Sequence, residues 1–148
     1  MSNATTITLE QIALVKETWE KVIPIADTVS KLFYERLFAT NPQLAPMFKG
    51  IDLSTQRQKL IKAINMVVMS LDRIDTLIPV IRSMGQRHVG YGAEEAHYDQ
   101  VGAALLWTLE TGLDDAWTDA AATAWANAYQ ILASVMIDGA SEVPKTAA

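Results

Sequence analysis

Leu77-Ile78-Pro79-Val80-Ile81-Arg82-Ser83-Met84-Gly85-Gln86-Arg87-His88 is the stretch on which the reading of this chain turns. Ile81, Met84 and His88 recur at helical spacing, so the imidazole shares a face with core side chains. Taken alone, such a histidine is most simply a core or helix-end residue. Its interest comes from the poverty of other ligands. The chain holds one further histidine, His97, and no cysteine. A metal bound directly by side chains needs three or four ligands, which these residues do not readily supply. A metal carried inside a planar macrocycle needs only one.

The bulk numbers agree with a small-molecule pocket. At 148 residues the chain is one domain of ordinary size. A domain of that length buries roughly 68–70% of its unfolded surface, enough for a core and a pocket. Twelve basic and 17 acidic residues give a net charge of −5, without a basic run. Nucleic acid and anionic lipid are therefore not expected as partners. The absence of cysteine excludes disulfides, thiolate catalysis and iron–sulfur ligation. The N-terminus has neither a positive region nor a long apolar core, and no apolar run of about 18 residues occurs. A cytoplasmic protein without a membrane span is expected.

Period-3.6 patterning runs throughout and strict alternation is absent, so the chain reads as all-α. Thr8-Leu9-Glu10-Gln11 fits a capping box that opens a helix to about Val22. Pro24 breaks it, and a second helix runs from about Ile25 to Ala39. Asn41-Pro42 reads as an N-cap and first helical position of a very short helix ending near Phe48. Ser54 or Thr55 is expected to cap a long helix to about Leu71, and Asp75 the helix that ends at His88. Val89-Gly90-Tyr91-Gly92 reads as a turn. A helix follows from about Glu94 to Thr111, and Thr118 caps a last one to about Asp138. Residues 1–7 and 139–148 read as tails around a domain at 8–138. Unequal helices with one very short member suggest crossed packing around a pocket rather than an up-down bundle.

Several residues admit two readings. Gln56 and Leu60 share a helix face opposite the His88 helix. Gln56 is either a partly exposed helix-end residue or a donor pointing into a pocket. Tyr34 is either a core tyrosine satisfied at the edge or a hydroxyl aimed at a ligand. Phe48 is most simply a core aromatic. His97, nine residues past His88, reads as a surface or hydrogen-bonding histidine.

Taken together, these residues resemble the globins over residues 9–137, above all the bacterial single-domain globins, flavohaemoglobin haem domains and the neuroglobin branch. Leu32-Phe33-Tyr34-Glu35-Arg36-Leu37-Phe38, then Asn41-Pro42 and Met47-Phe48, look like the second and third helices. Gln56-Arg57-Gln58-Lys59-Leu60 is similar to the start of the distal helix. His88 follows Gln56 by 32 residues, the distal-to-proximal interval. Gln86-Arg87-His88, Gly92 and His97-Tyr98 resemble the bacterial proximal segment, and Trp125 and Tyr129 recur in the last helix.

The resemblance implies a three-over-three helical sandwich binding one haem b, with His88 as the iron ligand. It implies that Phe48, Leu60 and Met84 contact the haem and that Lys59 and Arg87 reach its propionates. Tyr98 would support the proximal histidine. O2, NO and CO are the implied ligands. Tyr34 and Gln56 would be distal donors that favour high O2 affinity and slow release, since bound O2 carries partial negative charge. Two departures matter. With Gln56 at the distal position, ligation by two histidines is not expected. Where flavohaemoglobins carry a supporting last-helix glutamate this chain has Ala140, with Asp138 and Glu142 on either side. The 148 residues hold no FAD/NAD reductase domain, so nitric oxide dioxygenation would need a separate reductase. Gas sensing, or a haem-free interaction role, are the other readings.

Overall fold

Among the described residues there are six α-helices, and four of their five connections contain a short 3₁₀ segment. The computed structural model describes residues 7–143, among which there is no strand. The helices are α1 (Leu9–Val22), α2 (Ala26–Thr40), α3 (Leu53–Met69), α4 (Ile78–Gly90), α5 (Glu95–Leu113) and α6 (Asp119–Ala140). The 3₁₀ segments are Ile23–Ile25, Pro42–Phe48, Leu71–Leu77 and Asp114–Ala116. None of the described helices is long and apolar enough to cross a membrane.

The caps show which local signals the chain uses. Thr8 Oγ1 accepts from the Gln11 amide and Gln11 Oε1 from the Thr8 amide, both at 3.1 Å, completing the expected capping box. Thr118 Oγ1 accepts from the Ala121 amide at 3.0 Å to open α6. Three expectations are corrected. Asp52, rather than Ser54 or Thr55, caps α3: its carboxylate accepts from the Ser54 amide at 3.1 Å and from Thr55 Oγ1 at 2.9 Å. A carboxylate is the stronger acceptor, and it also meets the positive end of the helix dipole. Asp75 caps nothing, because a 3₁₀ turn runs to Leu77 and Pro79 starts α4 without a side-chain cap. The Asn41 side chain closes α2 instead of opening the next segment, donating to the Leu37 carbonyl at 3.3 Å.

The last helix also differs from its expected end. It continues through Gly139 to Ala140, because Gly139 is a packing residue. A Cβ there would lie 2.4 Å from the Arg82 carbonyl oxygen. The same crossing is met from the other side by Gly85, where a Cβ would lie 2.0 Å from the Met136 carbonyl oxygen. Two glycines thus let the backbones of α4 and α6 touch. Arg82 closes the crossing with ion pairs to Asp138 and Glu142. The remaining parts of the tails, residues 1–6 and 144–148, lie outside the described residues.

The core sits where α1 meets α6, α3 and α5, with α2 packed on α3 and α5. Val15, Trp19, Phe33, Leu37, Leu109 and Trp125 are buried there. Burial of each such side chain contributes about 1.5–3 kcal/mol. Its polar atoms are satisfied. The Trp125 indole donates to Thr18 Oγ1 at 2.8 Å, and the Trp19 indole to Asn65 Oδ1 at 2.9 Å.

Candidate functional site

α3 and α4 carry the site, and their burial pattern sets them apart. Of the 17 residues of α3 only Val67 and Val68 are buried, and on α4 only Ile81 and Gly85. Leu60 and Ile64 on α3, and Met84 and His88 on α4, are half-buried. α3 packs on α1 and α2, whereas α4 packs on α6. The two helices therefore hold apolar faces on separate supports.

His88 lies in the last turn of α4. Its Nδ1 is 2.6 Å from the Met84 carbonyl oxygen. A carbonyl only accepts, so Nδ1 carries the proton and Nε2 keeps its lone pair. This is the tautomer and anchored ring that a metal-ligating histidine requires. The Tyr91 ring packs against the imidazole with centroids 5.4 Å apart. Met84 thus acts twice, through its half-buried side chain and through its carbonyl.

On the other side, α2 brings up Tyr34, which is buried among aromatic rings. Phe33 lies 4.9 Å away and Phe48 5.7 Å, both edge-on, with Phe38 at 6.0 Å. Phe38, one helical turn after Tyr34, was legible only as an apolar residue of α2. Burial raises the Tyr34 hydroxyl above its usual pKa, while a polar contact from the Gln56 side chain lowers it. Gln56 is half-buried in the first turns of α3. A Cβ at Gly92 would lie 3.7 Å from Met47 Cε, so the segment carrying Phe48 approaches the turn just after His88.

Other expected residues fall differently. The Tyr98 hydroxyl is buried and has no partner among the described residues, and burial raises its pKa. It is not paired with His88, whose Nδ1 is taken by Met84. Asp138 and Glu142, the carboxylates flanking Ala140, are both held by Arg82. Lys59 and Arg87 are exposed and in no ion pair among the described residues. His97 Nδ1 accepts from the Glu94 amide at 3.0 Å and caps α5. Beneath the site, Ile64, Val67, Leu105, Trp125, Tyr129 and Leu132 line an apolar cavity of about 30 Å³. A groove of about 300 Å³ between α2 and α5 contains none of these residues.

The arrangement defines a class: an α-helical protein with one anchored imidazole on α4 and a tyrosine–glutamine pair brought together by α2 and α3. Comparison with known proteins gives the same answer. A profile of the family described as Globin matches residues 31–136. The chain is similar to the flavohemoproteins of Bacillus subtilis, at 30% identity over 85% of this chain, and Vibrio cholerae, at 31% over 89%. It spans about a third of the length of these relatives, 32% and 34%. Among solved structures it is similar to a bacterial globin from Campylobacter jejuni. Identity is 28% and the TM-score 0.79, covering 91% of this chain and 97% of that one. A hexacoordinated heme protein from an anhydrobiotic tardigrade shares the fold, with a TM-score of 0.81 at 18% identity over 96% of this chain and 100% of that one. This chain belongs to the globin family, and family membership implies a haem cofactor. The residues present fit that group: one histidine anchored through Nδ1, an aromatic ring at Phe48, and half-buried apolar side chains on α3 and α4.

Proposed function

We propose that this globin binds O2 reversibly, with high affinity and slow release, through a non-covalently held haem b. The reading is supported by two observations together: the Tyr34–Gln56 pair, and an imidazole whose Nδ1 is held by the Met84 carbonyl. His88 would hold the iron, and Phe48, Leu60 and Met84 would pack on the macrocycle. Lys59 and Arg87 stand on the elements that meet its edge. Lacking cysteine, the chain offers no thioether attachment. When bound, the haem would supply an iron able to take O2, NO or CO. Tyr34 would donate its hydroxyl proton, and Gln56 an amide N–H, to a ligand carrying partial negative charge. Its raised pKa keeps Tyr34 a protonated donor at neutral pH. A hydrogen bond to a charge-bearing group contributes about 1.5–3 kcal/mol. That is roughly 10–100-fold in affinity, carried mainly by release.

Stopped-flow O2 dissociation tests this directly. Tyr34→Phe should speed release by roughly 10–100-fold. An unchanged off-rate would show that Tyr34 does not contact the ligand. His88→Ala should lose or shift the Soret band of the loaded protein. A native protein that takes up no haem would point instead to a haem-free interaction domain.

A second reading is nitric oxide dioxygenation in the cytoplasm, supported by the similarity to flavohemoproteins. It would require electrons from a reductase to return the iron to the ferrous state. Sustained nitrate production with a reductase present would favour it over storage or sensing.

A further inference from the structure

The charge of this chain is segregated. Between Glu94 and Glu142 lie nine carboxylates and no lysine or arginine. Residues 49–62 hold Lys49, Arg57, Lys59 and Lys62 against the single carboxylate of Asp52. Lys49, Lys59 and Lys62 are exposed, as is Arg87 on α4, and none is in an ion pair among the described residues. These four cations stand on the loop, α3 and α4, the elements that frame the site. The same segments expose apolar side chains: Ile51 at 45%, Leu53 at 37% and, just after α4, Tyr91 at 63%. From Leu53 to Lys62 the helix spans roughly 14 Å.

We propose that this basic rim is a docking surface for an acidic one-electron donor protein carrying a reduced flavin. The inference rests on the reading of the chain as a haem globin, whose oxidised form needs re-reduction. One electron leaves the donor's reduced flavin and converts ferric iron to ferrous. No bond in this chain forms or breaks. The basic rim attracts the donor to the site, while the acidic α5–α6 side repels it, so the charge pattern orients the encounter as well as speeding it. An anionic membrane is the weaker occupant. A wide sheet of negative charge would meet the acidic remainder of a chain carrying −5 overall.

The test uses the full-length haem-loaded protein and flavodoxin, an acidic FMN protein, as the probe. Two quantities are read: amide shift changes with oxidised flavodoxin, and the second-order rate of ferric reduction by photoreduced flavodoxin. The variant is Lys49→Glu with Lys62→Glu, which leaves Lys59 and Arg87 in place. Lys21→Glu, on exposed α1, is the comparison for Lys62→Glu, since each alters net charge equally. Shifts should map to residues 49–62 and the end of α4. The double variant should slow reduction by about tenfold or more at low salt, with the difference closing at high salt. Lys21→Glu should stay within about twofold, and dithionite reduction and O2 release should not change. Equal slowing by Lys21→Glu and Lys62→Glu would overturn the proposal, reducing it to a net-charge effect. So would shifts that miss the rim, or binding to phosphatidylserine vesicles without binding to flavodoxin. A protein that binds O2 as proposed yet shows any of these results would lose the docking surface and keep its function.

Discussion

Gly85→Ala is the substitution that most directly probes how His88 is held. The added methyl would sit 2.0 Å from the Met136 carbonyl oxygen, whereas ordinary contact begins at 3.4 Å. The obstacle is backbone, so no rotamer change relieves it, and α4 must retreat from α6 by more than an ångström. Overpacking of this kind costs about 1–3 kcal/mol. Alanine returns up to about 1 kcal/mol through helix propensity, so a net loss of about 1–2 kcal/mol is expected. For a chain of this size that lowers Tm by roughly 2–8 °C. His88 is three residues further along the same helix, so its imidazole moves with the retreat. Haem transfer to an excess of apomyoglobin should accordingly be faster than from the native protein. Gly90→Ala is the matched control in the same helix. A Cβ there meets nothing within 4 Å, so the propensity gain stands alone and stability should hold or rise by up to about 1 kcal/mol. Urea denaturation of both variants, with and without haem, decides the matter. If Gly85→Ala matches Gly90→Ala in stability and haem retention, the close crossing does not exist as described.

Other outcomes follow from the same structure. Thr18→Val should cost about 1–3 kcal/mol, because it leaves the buried Trp125 indole N–H without its 2.8 Å acceptor; a denaturant midpoint unchanged from native would contradict that bond. Arg82→Gln should cost less than about 1 kcal/mol despite two ion pairs, since Asp138 and Glu142 are 68% and 52% exposed. A loss above about 2 kcal/mol would mean that charge, not the glycine contact, mounts α4 on α6. Alkaline titration should destabilise the fold. Tyr34, Tyr98 and Tyr129 all have pKa values raised by burial. Below pH 10 they are protonated in both states and add no pH dependence. Above it the unfolded chain loses protons that the fold retains, so stability falls as pH rises through the folded values. Each hydroxyl contributes up to about 1.4 kcal/mol per pH unit. Unfolding followed by circular dichroism from pH 9 to 12 should show this decline, and a flat profile would place these hydroxyls in water.

What the sequence made legible was mostly periodicity and spacing. The faces of α1, α3 and α4 follow from apolar residues at helical intervals, and Met84 and His88 share a face by the same rule. Glycine was one source of error, because it has two meanings. Gly139 reads as a stop when only its own backbone preference is weighed. The structure uses it as a contact point, which depends on Arg82, 57 residues away. Caps failed for a related reason. Asp52, Ser54 and Thr55 all suit the start of α3, and their competition is settled by a geometry that spacing does not specify. At the site, the contact of Gln56 with Tyr34 joins two helices and has no local signature. The fate of Asp138 and Glu142 likewise depends on an arginine from another helix. The proximal anchor was half visible: the i to i−4 relation placed Met84 beside His88, but only coordinates show its carbonyl holding Nδ1.

The position of α6 has a consequence for biosynthesis. It closes against α1 through Thr18–Trp125 and Gln11–Asn127, contacts that span 107 and 116 residues, and it alone receives the glycine face of α4. At about 5–20 residues per second, a ribosome needs roughly 5–20 s to travel from Thr18 to Trp125. α1 waits for its partner throughout that interval, and α4 (Ile78–Gly90) for the last part of it. Packing of both helices is thus completed only after the last helix has been made.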